Sequence, residues 1–325
     1  MDQSITTALD NAMQQCNQHI VEKLSTAGPD IQKVTTHLLQ AQGKGVRALT
    51  LLACAIDDKG NIPADAPKAA AAIEILHMAT LVHDDVMDNA STRRGISTIH
   101  HQFDTKTAVI CGDLLLAIAL SMITDIDTQR LEANKDNPRL APRITNALAA
   151  VCKGEYNQHI NNGNLDMSLV TYLRTISGKT AALFFVSAYG GAILAGHHSQ
   201  AEALRLGRFG RALGMAFQII DDCKDYTWTD VQAGKPVGND IKMGVITLPL
   251  LIAMGKDKNL RGMAKALVLA DKDTADFVKQ VQNTGSVEDT LRVAHRFIAL
   301  AKKSIKDLPA PKRAALEDIL GRLPA

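Results

Sequence analysis

The sequence predicts an all-α protein, a single-domain helical bundle spanning residues 1–325. Aromatic residues make up only 4% of the 325 positions while alanine and leucine abound, which favours helices over strands. Few windows alternate apolar and polar residues over strand length, whereas long stretches carry apolar residues at helical spacing. Finally, no linker is long or flexible enough to separate domains.

Four segments carry the helical pattern most clearly: Lys68 to Asp88, Thr107 to Ile123, Val170 to Ala195 and Ala201 to Tyr226. Polar, turn-forming breaks are predicted at Asp57 to Pro67, Asp125 to Pro142, Trp228 to Asp240 and Gly255 to Gly262. The uncharged run Thr180 to Gly196 falls short of a spanning length and includes Ser187, Tyr189, Gly190 and Gly191, so it reads as a buried core helix. Met1 to Asp10 lacks the basic-then-apolar order of a secretory signal. With no transmembrane segment expected, the sequence predicts a soluble, cytoplasmic protein. Its five cysteines, without a CxxC pair, read as buried, reduced thiols. A formal charge of +2 argues against a broad nucleic-acid surface.

One pattern occurs twice. Asp84-Asp85-Val86-Met87-Asp88 ends one apolar helical segment, and Asp221-Asp222-Cys223-Lys224-Asp225 ends another. Residues four apart share a helix face, so Asp84 lies with Asp88 and Asp221 with Asp225, while Asp85 and Asp222 are rotated by roughly 100°. Like charges at this spacing destabilise a helix, and the C-terminal end of a helix disfavours anions. Two such clusters call for a counter-charge, most simply a divalent cation. Hard oxygen ligands without nearby cysteines fit Mg²⁺ better than zinc, and Mg²⁺ commonly bridges one or two carboxylates to substrate phosphates. Cations suited to phosphate stand close in the sequence: Lys44 and Arg47 in a glycine-containing helix entry, Arg93 and Arg94 after the first cluster, Lys179 before the long apolar segment, and Lys235 after the second cluster.

In this setting the chain resembles the trans-prenyl diphosphate synthases, the farnesyl, geranylgeranyl and longer polyprenyl synthases. The resemblance runs from about Lys44 to Pro249. It rests on Gly43-Lys44-x-x-Arg47, Glu74-x-x-His77, DDVMD with Arg93-Arg94-Gly95, Gly112-Asp113, Gly154-Glu155, Lys179-Thr180 and Phe217-Gln218-x-x-Asp221-Asp222-x-x-Asp225. Gly234-Lys235 and Thr247-Leu248-Pro249 complete the order.

The resemblance implies the isoprenoid synthase fold, a helical bundle around a deep apolar cavity. It implies that Asp84, Asp88 and Asp221 hold Mg²⁺ on an allylic diphosphate (farnesyl or geranyl), with Asp85, Asp222 and Asp225 supporting or sharing that duty. Arg93, Lys179 and Lys235 would contact the same diphosphate. Lys44, Arg47, His77 and Arg94 would hold isopentenyl diphosphate, and Thr180 and Gln218 would flank the developing carbocation. A homodimer is implied as well. The chain departs from the common family pattern at Gln42 and Ala48, which stand where glycine and proline are frequent, and at Val245, which stands where a lysine is frequent.

Such an enzyme would add isopentenyl units head to tail, and the growing chain would run along the helix carrying Asp84 toward its N-terminus. Ala79 and Thr80 are small there, with Leu76 and Ile75 a turn further, so a long product, heptaprenyl or octaprenyl, is expected. A floor at Leu76, Ile75 or a facing helix would stop the chain at geranylgeranyl instead.

Three other readings fit less well. A terpene cyclase commonly replaces the second aspartate cluster with an Asn/Ser/Glu pattern and lines its pocket with aromatics. A di-iron bundle needs a second Glu-x-x-His, which is absent. A non-catalytic subunit of a two-chain synthase could dispense with the aspartates, yet both clusters are intact.

Overall fold

Helix α1 (Gln3–Ser25) opens a chain that, apart from one two-stranded hairpin, is helical wherever it is regular among the described residues. The computed structural model describes residues 3–40, 43–196, 200–227, 238–268 and 273–323. These fall into two compact units interleaved in sequence. One comprises Met1–Asn146, Leu183–Gly210 and Ser304–Gly321, the other Ala147–Ala182, Arg211–Lys303 and Arg322–Ala325.

In the first unit, α2 (Gln32–Gln40) and α3 (Val46–Cys54) lead to α4 (Asp65–Met87), which α1, α3 and α6 (Thr105–Ala133) surround. Helix α4 is apolar on almost every face, with Ala69 to Ala72, Ile73, Ile75, Leu76, Ala79 and Val82 buried. A helix without a polar stripe belongs inside a bundle. The alanines lower its girth, and α4 makes its most extensive contact with α6. Burial of each large aliphatic side chain contributes about 1.5–3 kcal/mol.

Helix α6 runs ten residues beyond Ile123, through the predicted break at Asp125. The acid is there for a reason. Asp127 is buried, and its two carboxylate oxygens accept the backbone N–H groups of Leu140 and Ala141, both at 2.8 Å, at the start of α7 (Ala141–Ile160). Among the described residues α6 is the one helix long and apolar enough to cross a membrane; Val109 and Ile110 on it are exposed. The run Thr180 to Gly196 forms a core helix, as expected: in α9 (Ala182–Leu194) every residue from Leu183 onward is buried except half-buried Phe185.

The second unit holds the C-terminal part of α7 together with α8 (Leu169–Ile176), a π-helical turn (Ser177–Ala181) and the C-terminal half of α10 (Gln200–Thr227). Among the described residues five more helices lie wholly or largely in this unit: α11 (Asn239–Lys242), α12 (Leu248–Lys256), α13 (Asn259–Leu267), α14 (Ala275–Asn283) and α15 (Ser286–Ile305). Tyr226, Ile241, Leu250, Phe277 and Val281 are central to its core. The predicted break at Gly255 to Gly262 narrows to Asp257 and Lys258 between α12 and α13. All five cysteines are free thiols; Cys152 is exposed, against expectation, and the other four are buried.

Candidate active site

In the first unit the aspartate cluster lies at the C-terminal end of α4. Asp84 is half-buried and Asp88 exposed at the helix cap, where its charge opposes the helix dipole. Asp85, turned toward the interior, is buried and accepts a hydrogen bond from Arg93 Nε at 2.6 Å. Burial pushes the Asp85 carboxyl up from its ordinary value against the pull of the Arg93 guanidinium.

Arg93 comes from a hairpin that the sequence does not announce. Strand β1 (Thr92–Arg93) pairs with β2 (Ile96–Ser97), Thr92 opposite Ser97 and Arg93 opposite Ile96, which leaves a two-residue turn of Arg94 and Gly95. Both turn residues have positive φ, 52° and 80°, as the turn type that fits the twist of paired strands requires. A non-glycine residue there is uncommon and marks a backbone held for a purpose. The guanidinium of Arg94 lies against Gly43; a Cβ at Gly43 would come within 2.5 Å of Arg94 Nη1. Thus the glycine of Gly43-Lys44-x-x-Arg47 is the space that Arg94 occupies.

Around it the first unit gathers positive charge. Arg47 stacks over the buried Phe184 ring at 4.8 Å, and its Nε is buried without a hydrogen-bond partner. Burial, and to a smaller degree Arg94, lowers the Arg47 pKa to about 10, although Glu74 and Asp84 pull the other way. Glu74 is engaged by the backbone N–H of Ala48 at 2.9 Å. His77 is held well below its ordinary value by burial and by Arg47, Arg94 and Arg93, so it stays neutral. Like charges assembled around an orphan buried donor are a setting that could hold an anion. Lys44, exposed at the same helix entry, completes the predicted set.

In the second unit, Gly154 permits α7 to meet the π-helical turn backbone to backbone; a Cβ there would lie 2.2 Å from the Lys179 backbone nitrogen. Such π turns are rare and recur at functional sites. This one presents Lys179 and Thr180. Lys179 Nζ pairs with Glu155 at 2.7 Å, and Thr180 Oγ1 donates to Gln218 Oε1 at 2.7 Å. Gln218 Nε2 donates to Asp222 Oδ1 at 2.8 Å, and Tyr172 Oη donates to Asp222 Oδ2 at 2.5 Å. Burial, with Asp240 nearby, pushes Asp222 up to about 8 against those two hydrogen bonds.

Asp221 and Asp225 do not share one environment as their spacing suggested. Asp221 is exposed and pairs with Lys224 Nζ at 2.5 Å. Asp225 is buried, and its oxygens accept the backbone N–H groups of Asn239 at 3.2 Å and Asp240 at 3.0 Å at the start of α11. The first residues of α11 claim this carboxylate. Lys235 lies outside the described residues.

No three His, Cys, Asp or Glu side chains converge into a ready metal cage among the described residues. Along α4, Ala79 and Leu76 are buried, and half-buried Thr80 returns its hydroxyl to the His77 carbonyl at 2.8 Å.

Sequence reasoning missed Tyr172, Glu155, Phe184 and Lys224. Glu155 stood inside a quoted motif, and Lys224 inside the second cluster itself. Tyr172 and Phe184 gave no signal, since an aromatic in an amphipathic helix reads as core.

Residues 29–284 match the pattern of the family described as polyprenyl synthetase. The chain is 34% identical to heptaprenyl diphosphate synthase component 2 of Bacillus subtilis, an alignment covering 86% of this chain and 78% of the relative. It is 32% identical to the crystal structure of a decaprenyl diphosphate synthase from Rhodobacter capsulatus, with a TM-score of 0.85 and 99% of each chain covered. The polyprenyl synthase of Caulobacter crescentus, solved with calcium and isoprenyl diphosphate, is 29% identical with a TM-score of 0.86, covering 98% of this chain and 95% of that one.

Proposed function

This chain belongs to the polyprenyl synthetase family, and we propose that it condenses isopentenyl diphosphate with an allylic diphosphate to make a long, all-trans polyprenyl diphosphate. The observation that carries the reading is the anion site of Arg47, Arg94 and neutral His77, assembled in the same unit as the Asp84–Asp88 cluster. An orphan buried Arg47 nitrogen amid like charges is costly unless an anion completes it.

The residues fit the reaction. Lys44, Arg47, Arg94 and His77 would bind the diphosphate of isopentenyl diphosphate and hold its double bond in line, a positioning task worth several powers of ten. Arg93 and Lys179 would orient the allylic diphosphate, and Asp84, Asp88 and Asp221 would hold Mg²⁺. Mg²⁺, when bound, supplies charge neutralisation to the departing diphosphate. Thr180 and Gln218 would offer oxygen dipoles to the carbon where positive charge develops. Loss of a proton then completes the new double bond, with the released diphosphate as the base. Apolar surroundings would be needed to exclude water, which would otherwise trap the cation as an alcohol.

Small side chains at Ala79 and Thr80 support a long product, in keeping with the names of the relatives. The reading carries with it a single catalytic domain and a cytoplasmic homodimer, the latter tested by light scattering in solution.

The decisive assay is elongation of farnesyl diphosphate by labelled isopentenyl diphosphate with Mg²⁺. Chelation by EDTA should abolish it. Folded protein that consumes no isopentenyl diphosphate with any allylic primer contradicts the proposal.

A further inference from the structure

Four side chains of the second unit form one buried, directional relay: Tyr172, Asp222, Gln218 and Thr180. Three of them, Tyr172, Asp222 and Thr180, are at least nine-tenths buried, so each hydrogen bond replaces solvent that cannot enter. The direction comes from the chemistry of the groups. Gln218 Nε2 donates to Asp222 Oδ1 at 2.8 Å, so the amide turns its NH₂ toward Asp222, both for the carboxylate and for a carboxyl whose hydrogen sits on Oδ2 beside Tyr172. The amide carbonyl must then face Thr180, and it takes the single hydroxyl hydrogen of that residue at 2.7 Å. Tyr172 engages the remaining carboxyl oxygen at 2.5 Å and fixes the plane of the group. With its hydrogen committed inward, Thr180 Oγ1 has only lone pairs to present elsewhere.

The neighbouring aspartates set this arrangement apart. Asp221, one residue away, is exposed and paired with Lys224. Asp225 is occupied by two backbone N–H groups. Both oxygens of the buried Asp222 are engaged by side-chain donors, Tyr172 and Gln218, which neither Asp221 nor Asp225 has. The relay also ends on the π-helical turn Ser177–Ala181, a local departure from α geometry that places Thr180 within reach of Gln218.

We propose that Asp222 and Tyr172 are positioning residues rather than metal ligands, and that their task is to set the polarity of the Gln218–Thr180 pair. Held by the relay, the Thr180 hydroxyl turns its electron-rich side toward the allylic carbon as that carbon becomes positive. The inference rests on the prenyl-transfer reading above and deepens it by giving each cluster residue a separate duty.

Reversal of the relay is the test. In Asp222→Asn the new amide keeps its oxygen for the Tyr172 hydroxyl and offers its NH₂ to Gln218. Gln218 must then flip, present its own NH₂ to Thr180, and release the Thr180 hydrogen toward the cation. Adding Gln218→Glu restores an acceptor at both ends of residue 218. Steady-state kinetics with farnesyl and isopentenyl diphosphates would be measured beside calorimetric binding of inorganic diphosphate in the presence of Mg²⁺.

The expected result for D222N is a kcat lower by about 10²-fold, the scale of one misdirected dipole at a transition state. KM for both substrates and Mg²⁺-dependent diphosphate affinity should stay within about twofold, since no metal ligand has been lost. The double variant D222N/Q218E should recover kcat at least about tenfold over D222N. Should D222N fail to fold, Tyr172→Phe carries the test, with kcat reduced about tenfold at unchanged KM and unchanged diphosphate binding.

A D222N protein whose Mg²⁺-dependent diphosphate affinity collapses, and which Q218E does not rescue, would make Asp222 a ligand and overturn the inference. Unchanged kcat in both D222N and Y172F would make the relay structural only, and overturn it as well. A wild-type protein that elongates no primer while still binding Mg²⁺ and diphosphate would overturn the prenyl-transfer reading itself, and this inference with it.

Discussion

The two Asp-Asp-x-x-Asp clusters read alike, yet their carboxylates meet different partners. In the first, only Asp85 is drawn inward, to Arg93, while Asp88 faces solvent at the helix cap. In the second, only Asp221 is exposed; Asp222 is tied to Tyr172 and Gln218, and Asp225 to the backbone of α11. The difference originates in the stretch of chain just downstream of each cluster. After Asp88 the chain turns into the Thr92–Ser97 hairpin and sends an arginine back to the middle aspartate. Downstream of Asp225, α11 begins at Asn239, and its first N–H groups are capped by the Asp225 carboxylate. A repeated motif therefore does not imply repeated duties.

The largest effect that would sharpen this contrast is on Asp84 and Asp221, the carboxylates proposed to hold Mg²⁺. Asp84→Asn or Asp221→Asn should lower kcat by about 10³-fold and raise the Mg²⁺ concentration needed for half-maximal rate, because transition-state charge neutralisation by a metal is worth several kcal/mol. A Mg²⁺ titration of each variant checks it. An Asp221→Asn protein with the wild-type Mg²⁺ profile would break the comparison from one side.

Next in size is the anion site. Arg47→Gln should raise KM for isopentenyl diphosphate by about 10- to 100-fold, the cost of one charge-assisted contact, with KM for the allylic substrate little changed. Initial rates with each substrate varied in turn distinguish the two.

A stability effect comes third. Asp225→Asn should destabilise the fold by about 1–3 kcal/mol, since one buried N–H at the start of α11 loses its acceptor. Asp88→Asn, at an exposed cap, should leave stability unchanged or slightly improved. Denaturant unfolding of the two variants, side by side, compares a capping carboxylate with one proposed to hold Mg²⁺.

The smallest effect is a pH dependence. His77 has its folded pKa well below 6.5, so on acidification the unfolded chain takes up the proton first. Stability should therefore rise with pH through this window and fall as pH drops below about 6.5, by at most about 1.4 kcal/mol per pH unit. His77→Gln should flatten that part of the stability curve, measured by unfolding from about pH 7.5 to about pH 5.5.

Much of this was legible in the residues. The apolar runs gave α4, the π turn with α9, and α10 to within a few positions, because helical spacing reports a buried face. The motif residues Arg47, His77 and Arg94 do come together in one unit. The features that could not be read depend on contacts between elements. Asp125 to Ala133 looked like a break because charged side chains usually stay solvated, whereas Asp127 is a buried cap for α7. The Arg94–Gly95 turn was hidden because strands of two residues have no periodicity. Tyr172 looked like any apolar helix residue, and only its distance to Asp222 gives it a role.

The most direct test of the account is the product ladder, read by mass spectrometry, from wild type and Ala79→Tyr supplied with Mg²⁺, farnesyl diphosphate and labelled isopentenyl diphosphate. A wild-type ladder ending at heptaprenyl or octaprenyl, cut short by the tyrosine, is the predicted result. Folded wild-type protein that makes no ladder would contradict the prenyl-transfer reading, and an unchanged ladder in the tyrosine variant would contradict the path along α4.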